Sequence, residues 1–448
     1  MNLTRRRFLG MGAAATAISI VPRHVVARSG QTPPSEKLNI AGIGIGGQGH
    51  NDLMSVSSEN IVALCDVDDR YASHAYRQWP RAKRHRDFRR MLESQKDIDA
   101  VMVATPDHLH FLIAMGAIKL GKHVYCQKPL THTIAEARAL ALAASQSKVA
   151  TQMGNQGNAG EGVRLIQEWI EDGAIGKVRE VHCWTNKPEC PSGIARPKET
   201  PPVPASLDWD LWLGPAPLRP YHPAYLPFKW RSWWDFGSSS LGDMGCHVIN
   251  NAWRPLQLGR PTSIEAYSTG CNDETGPLAA MVYFEFPARG EMPPVRLTWY
   301  EGGLMPPRPP ELEDYRRMGD NEGCLFVGEL GKIVCCCYGQ SPRIIPESKM
   351  QSIGRPRQRL PRSLGHYQEW LSACKGGPKP GSHFEHAAVL AEIVQLGNVA
   401  IRFGRQRSGE NGHPVKLLWD GIAGKVTNLP EANRYLQTEY RKGWELEM

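Results

Sequence analysis

Between residues 37 and 155 the chain alternates short apolar runs with amphipathic stretches. The runs are LNIAGIG, NIVALCDV, DAVMVAT, KHVYC and KVATQMG. Continuous apolar runs of this length predict strands buried on both faces. The segments between them, such as HLHFLIAMGAIKLG and TIAEARALALAASQS, have helical spacing. Strand and helix in strict alternation predict an α/β unit with a doubly wound parallel sheet. From about residue 178 the rhythm changes to strand after strand: VREVHCWT, TSIEAYS, AAMVYFEF, VRLTWYE, CLFVGE and GKIVCCC. That pattern predicts a second, mostly antiparallel sheet, with a hairpin at GELGK. Phe384 to Gly404 has helical periodicity and is predicted to end at Gly404 as a cap. The expected organisation is therefore a unit at 37–155 and a larger one at 156–448. The second carries an irregular excursion at 186–235. Residues 188–227 hold 11 prolines, and five tryptophans (Trp209, Trp212, Trp230, Trp233, Trp234) lie in or just after them. Aromatics at that density predict a packed arm rather than a disordered linker.

The first residues read differently. Arg5 and Arg6, followed by Phe8 and Leu9 and a run rich in Gly, Ala and Thr, resemble a twin-arginine signal peptide over residues 1–27. A folded, cofactor-loaded, periplasmic protein handled by the twin-arginine export machinery is the expectation. The formal charge is +8, and the four arginines of residues 1–27 account for half of it. What remains is too little to predict nucleic acid as a partner. No run of 18 apolar residues predicts a stable membrane anchor. The 11 cysteines include three in a row, Cys335 to Cys337, but no metal-ligand spacing. They are expected to be mostly buried thiols, and no metal site is predicted.

Candidate chemistry begins at IAGIGIGGQGH, where Gly44, Gly46 and Gly49 form G-x-G-x-x-G between a predicted strand and a predicted helix. In that context the motif predicts a dinucleotide held by its pyrophosphate at the helix N-terminus. Asp66 closes the next predicted strand, where a carboxylate accepts from the adenosine ribose and repels a 2′-phosphate. This favours NAD over NADP, although the basic run at Arg81 to Arg90 keeps NADP in view. Ligands of such sheets bind beyond the carboxyl ends of the strands. Two segments fall there, ATPDHLH and YCQKPL. Lys128, in the second, is expected to point toward the nicotinamide end. Further on, Asp243 and His247 are four apart and share a face if helical. A carboxylate beside an imidazole can orient it.

These segments together resemble the glucose–fructose oxidoreductase/inositol dehydrogenase/MocA (Gfo/Idh/MocA) family. The likeness runs from GIGIGGQG through CDVD, ATPDHLH, GKHVYCQKPLTHTIAEA, GNQGN and GDMGCH to VTNLPEANRYLQTEYRKGW. The family's Glu-Lys-Pro falls on Gln127-Lys128-Pro129, and its D-x-x-x-H pair on Asp243 and His247. Gln127 replaces the usual glutamate, and Asn250 stands where many members carry an acid. The resemblance implies a Rossmann domain joined to an α/β domain with an open, mostly antiparallel sheet, with the active site between them. It implies oxidation of a secondary hydroxyl of a sugar, sugar derivative or cyclitol, using tightly held NAD. His247 would act as general base, Asp243 would orient it, and Lys128 would stabilise the alkoxide. Thr105, Pro106 and His110 would line the cofactor, and Asn155, Gln156 or Trp234 would touch substrate. An open sheet face implies a homo-oligomer. The alternative is a glycosidase that oxidises its sugar transiently, eliminates the aglycone and re-reduces the product.

Overall fold

The computed structural model describes residues 36–188, 190–319, 321–407 and 414–445, so the leader read in residues 1–27 lies outside the described residues. Six strands build the first sheet. They are β1 (Asn39–Ile43), β2 (Asn60–Cys65), β3 (Lys83–His85), β4 (Ala100–Val103), β5 (His123–Cys126) and β6 (Thr151–Met153). All pairs are parallel and the order is β3-β2-β1-β4-β5-β6. The central strands are buried along nearly their whole length, as their unbroken apolar runs require. The crossover helices include α1 (Gln48–Ser55), α2 (Asp107–Lys119) and α3 (Ile134–Gln146). A capping box starts α3, in which Thr133 and Glu136 satisfy each other's backbone N–H groups. Strand order reverses between β1 and β4, which opens a crevice at their carboxyl ends.

β3 falls inside the basic run Arg81 to Arg90, where no strand is expected from the sequence. It is an edge strand held by pairing with β2, and its side chains carry no apolar signal.

The second sheet has nine strands. β7 (Val178–Thr185), β8 (Ser263–Thr269), β9 (Ala279–Phe286), β10 (Val295–Glu301), β11 (Glu322–Gly328) and β12 (Lys332–Cys336) match the expected runs. They are joined by β13 (Arg343–Ile345), β14 (Leu417–Asp420) and β15 (Lys425–Val426). The order is β13-β12-β11-β7-β10-β9-β8-β14-β15, with β7–β10 parallel and the other pairs antiparallel. Alternating burial along β9 shows one face on the core and one on solvent. Cys183, Cys324 and Cys335 sit in register across β7, β11 and β12, all three buried, and no disulfide joins the described cysteines.

Three helices tie the halves together: α4 (Ser239–Val248), α5 (His366–Cys374) and α6 (Phe384–Arg407). α6 packs on α3 of the first half and on β8 of the second. It is long and apolar enough to cross a bilayer, but that apolar surface is buried inside the protein. It runs through Gly404 to Arg407, so Gly404 is not its cap. α5 returns to the first sheet, where Trp370 and Leu371 join the cluster around Ile40 and Tyr125. The arm at 186–235 builds a small core of its own from Leu207, Trp212, Tyr225, Trp233 and Phe236. It docks on the first half through the Asp68–Leu207 bridge and through Asp208, whose N–H donates to the Val67 carbonyl.

Candidate functional site

The crevice at the strand-order reversal opens into a cleft of about 460 Å³. Its floor is the β1–α1 turn. Gly44 has φ +77°, a backbone that only glycine adopts without strain. A Cβ on Gly49 would lie 2.1 Å from the Gly44 carbonyl oxygen, so this glycine lets helix and strand close. Over Gly46 lies the Tyr71 ring, 2.0 Å from where a Cβ would stand.

Asp66, at the end of β2, braces that turn. Its carboxylate accepts from the N–H of Ile45 at 2.8 Å and of Asp68 at 3.0 Å. Burial pushes its carboxyl up to about 6, against those backbone bonds. A glycine-rich turn, a helix N-terminus behind it and an acid at the next strand end fit a dinucleotide.

The opposite end of the cleft is charged. Lys128 reaches from the end of β5 to α4. Its Nζ donates to Asp243 Oδ1 at 2.6 Å and to the Asp243 carbonyl at 2.7 Å. Arg231 Nε donates to the same Oδ1 at 3.1 Å, and Lys187 Nζ stands 3.7 Å from Oδ2. Burial alone would raise the Asp243 carboxyl, but Lys128 and Arg231 outweigh it and hold the group well below its usual range. His247, one turn further along α4, also lines the cleft. Its ring lies edge-on to Tyr338, 4.8 Å between centroids. Burial, then the charge of Lys128, drives its pKa well down, so the imidazole is neutral.

The structure thus brings Gly44, Gly46, Asp66, Thr105, Pro106, Lys128, Gln156, Asp243 and His247 to one cleft. Other expected residues lie elsewhere. His110 stands behind the wall, its ring nitrogens 2.8 and 2.9 Å from the carbonyls of Pro129 and Thr105. It and His108 belong to α2, not to a strand end, and His108 packs on the arm, its ring nitrogens 3.2 and 3.1 Å from the carbonyls of Phe236 and Trp212. Asn155 is buried beneath α4, its Nδ2 3.5 Å from the Cys246 carbonyl. Trp234 donates to the Asn272 carbonyl and stacks on Arg402, away from the cleft. Trp212 and Trp230 of the arm line the cleft instead. Asp243 holds Lys128 rather than His247, whose Nδ1 is buried without a hydrogen-bond partner. Among the described residues no cluster of His, Cys, Asp or Glu has the makings of a metal site.

Three contributors escaped the sequence reading. Arg231 and Lys187 lie on the arm, where no periodicity announces them, and Trp444 arrives from the chain's last described segment. A fourth is Asp52 on α1, fully buried. Its carboxylate accepts from Gln127 Nε2 at 2.8 Å, Tyr367 OH at 2.7 Å and Gln48 Nε2 at 2.8 Å. The carboxylate absent at position 127 therefore stands next to it, and Gln127 is the amide that donates to it. Burial already raises the Asp52 carboxyl. Gln127→Glu would put two acids in one buried site, raising one pKa further. Such a group loses folding stability as pH rises through its folded value. The melting temperature of Gln127→Glu is therefore expected to fall further below wild type at pH 8 than at pH 5, read by calorimetry.

Residues 37–155 match the oxidoreductase family, NAD-binding Rossmann fold. Residues 191–259 match the C-terminal α/β domain of an oxidoreductase family. Levoglucosan dehydrogenase of Pseudarthrobacter phenanthrenivorans is 29% identical over 194 residues, 42% of this chain and 40% of that protein. Inositol 2-dehydrogenase of Salmonella paratyphi B is 29% identical over 150 residues, 33% of this chain and 44% of that protein. The chain thus matches less than half the length of these relatives. The WlbA dehydrogenase of Bordetella pertussis, solved with NADH and UDP-GlcNAcA, superposes with a TM-score of 0.57 at 17% identity. That superposition covers 86% of this chain and all of that one, and it shows the shared fold.

Proposed function

We propose that this chain, which matches the Gfo/Idh/MocA oxidoreductase models over residues 37–155 and 191–259, oxidises a secondary hydroxyl of a sugar, sugar derivative or cyclitol with NAD as cofactor. The observation that carries this reading is the meeting of Lys128 and His247, from different halves of the chain, at the cleft that holds the glycine-rich turn. A bound nicotinamide would supply the hydride acceptor. The protein's own part is to bind, orient and deprotonate. Lys128 has three donors; two go to Asp243 and the third is directed at a substrate oxygen. His247, neutral and lining the cleft, takes the hydroxyl proton through Nε2. The ammonium then stabilises the oxyanion in a part-buried site, where a charge is worth more than in water. Asp243 keeps the ammonium on station.

Asp66 favours NAD over NADP in this reading, since an acid at the end of β2 would repel a 2′-phosphate. Arg86, which also lines the cleft, pairs with Asp69. The leader at residues 1–27 supports export to the periplasm through the twin-arginine machinery, with a tightly held cofactor loaded beforehand. The solvent face of the second sheet, around Tyr267 and Tyr283, is where a second copy would pair.

The test is to purify the exported protein, look for co-purified nicotinamide, and screen sugars, cyclitols and glycosides. Accumulating NADH with a free sugar or cyclitol supports the dehydrogenase. Aglycone release with no net NADH identifies the glycosidase, because each turnover would restore the cofactor. No turnover with any of them overturns the reading.

A further inference from the structure

Residues 440–444, near the end of the described chain, belong to no helix or strand, yet side chains tie them down at three places. Tyr440 OH donates to Glu136 Oε1 of α3 at 2.6 Å. Arg441 crosses to the arm. Its backbone N–H donates to the Pro215 carbonyl at 2.9 Å and its Nε to the Gly214 carbonyl at 3.0 Å, and its guanidinium pairs with Asp210. Trp444, only 7% exposed, meets the helix Phe88–Ser94 of the first half. The Arg89 guanidinium lies over its indole, 4.0 Å from the ring centre, and the Phe88 ring is 6.3 Å away. Asp87 in turn holds Arg89 through both carboxylate oxygens. Chain ends fray unless they are tied down, and this one is tied to α3, to the arm and to the first half.

Strand order tells which end of the cleft the tail covers. The glycine-rich turn follows β1, in the middle of the first sheet. Lys128 follows β5 on one side of it. Asp66 follows β2, and Arg86 to Phe88 follow β3, on the other side. A dinucleotide with its pyrophosphate at the turn and its nicotinamide toward Lys128 therefore has its adenosine beside Asp66 and Phe88. The lining includes an apolar group, Phe88, Leu109, Ile113, Leu211 and Trp444. These five pack in one cluster, and a Cβ on Gly214 would stand 2.5 Å from Leu109 and 3.7 Å from Trp444. The first half supplies three of them, the arm Leu211 and the tail Trp444. Aliphatic side chains beside an indole have the chemistry that takes a flat purine ring.

We propose that Trp444 seats the adenine ring and that residues 440–444 form a clasp that slows escape of the dinucleotide. The proposal rests on the NAD reading and assigns the residue that holds the cofactor's far end. It separates two functions within one cleft: the tail governs retention, while Lys128 and His247 act at the other end.

The experiment compares three ligands on the full chain freed of nucleotide: NADH, ADP-ribose, and reduced nicotinamide mononucleotide, which has no adenosine. Affinity is read by calorimetry and NADH release by stopped-flow fluorescence. Trp444→Leu keeps apolar volume and removes the flat ring. It is expected to weaken NADH and ADP-ribose about tenfold, the scale of one lost base–aromatic stack, and to speed NADH release by a similar factor. The mononucleotide should bind as tightly as to wild type, which a merely structural role of Trp444 would not allow. Trp444→Phe, which restores a ring, should stay within about threefold of wild type. Arg441→Ala leaves the apolar lining whole and loosens the tail, so NADH release should quicken here too. This variant and Trp444→Phe carry the test if Trp444→Leu melts below the assay temperature. Equal weakening of the mononucleotide, ADP-ribose affinity indifferent to residue 444, or unchanged release from Arg441→Ala would each overturn the proposal. Wild-type protein that binds none of the three ligands would instead overturn the NAD reading on which it rests.

Discussion

Lys128→Ala and His247→Ala are each expected to lower kcat by roughly 10²–10³-fold while leaving NAD binding nearly intact. The separation follows from where the groups stand. The glycine-rich turn and Asp66 form one end of the cleft, and the two residues form the other, around Asp243. In the proposed mechanism, removing the ammonium takes away the charge that would face the developing oxyanion. Removing the imidazole takes away a base that burial keeps neutral. Interactions made mainly in the transition state lower kcat more than they raise KM. Cofactor affinity read by fluorescence titration, set beside kcat on the best substrate of the screen, checks both statements. Near-wild-type turnover in either variant would remove that residue from the mechanism.

Asp243→Ala is expected to destabilise the fold by about 3–5 kcal/mol, the range for removing one partner of a buried ion pair. Lys128, Arg231 and Lys187 all direct their charge onto this carboxylate, and their side chains are only 14%, 21% and 18% exposed. Without it, three cations face one another across a part-buried wall. The pH dependence has a definite sign. The folded carboxyl lies well below its unfolded value of about 3.9, so its stabilisation is complete above that pH and is lost as pH falls below it. The gap in melting temperature between wild type and variant should be steady from pH 5 to 8 and should narrow in acid. A variant that melts with the wild type at pH 7 would show that the cluster does not stabilise the fold. Turnover should fall as well, since Lys128 loses the partner that aims it.

Much of this was legible because burial writes itself into apolar runs. β1, β2, β4, β5 and β6 are covered on both faces and read directly, as does β9 by its alternation. β3 is an edge strand of Lys, Arg and His, specified by its neighbour rather than by its own residues. In the site, Lys128 and His247 announce themselves through local spacing at element ends. The partner of Gln127 does not. Asp52 is far away in sequence and looks like one more polar residue of a helix until tertiary packing buries it. The arm is harder still. Its tryptophan density correctly predicts a packed segment, but only packing decides that Trp230 faces the cleft while Trp234 turns to Asn272. Asp243 shows the same limit, since helical spacing places it beside His247 and says nothing of the three cations that claim its oxygens.

The cleft draws its walls from Ile43 at the first strand, from the arm near Trp230, from α4 and from Trp444 close to the last described residue. Such a site is a product of long-range closure and cannot assemble in a fragment. Ligand occupancy and global folding are then one equilibrium. Cofactor at a hundred times its dissociation constant adds about 2.7 kcal/mol to the stability of the whole molecule. An opening at any one wall would release cofactor as surely as unfolding does.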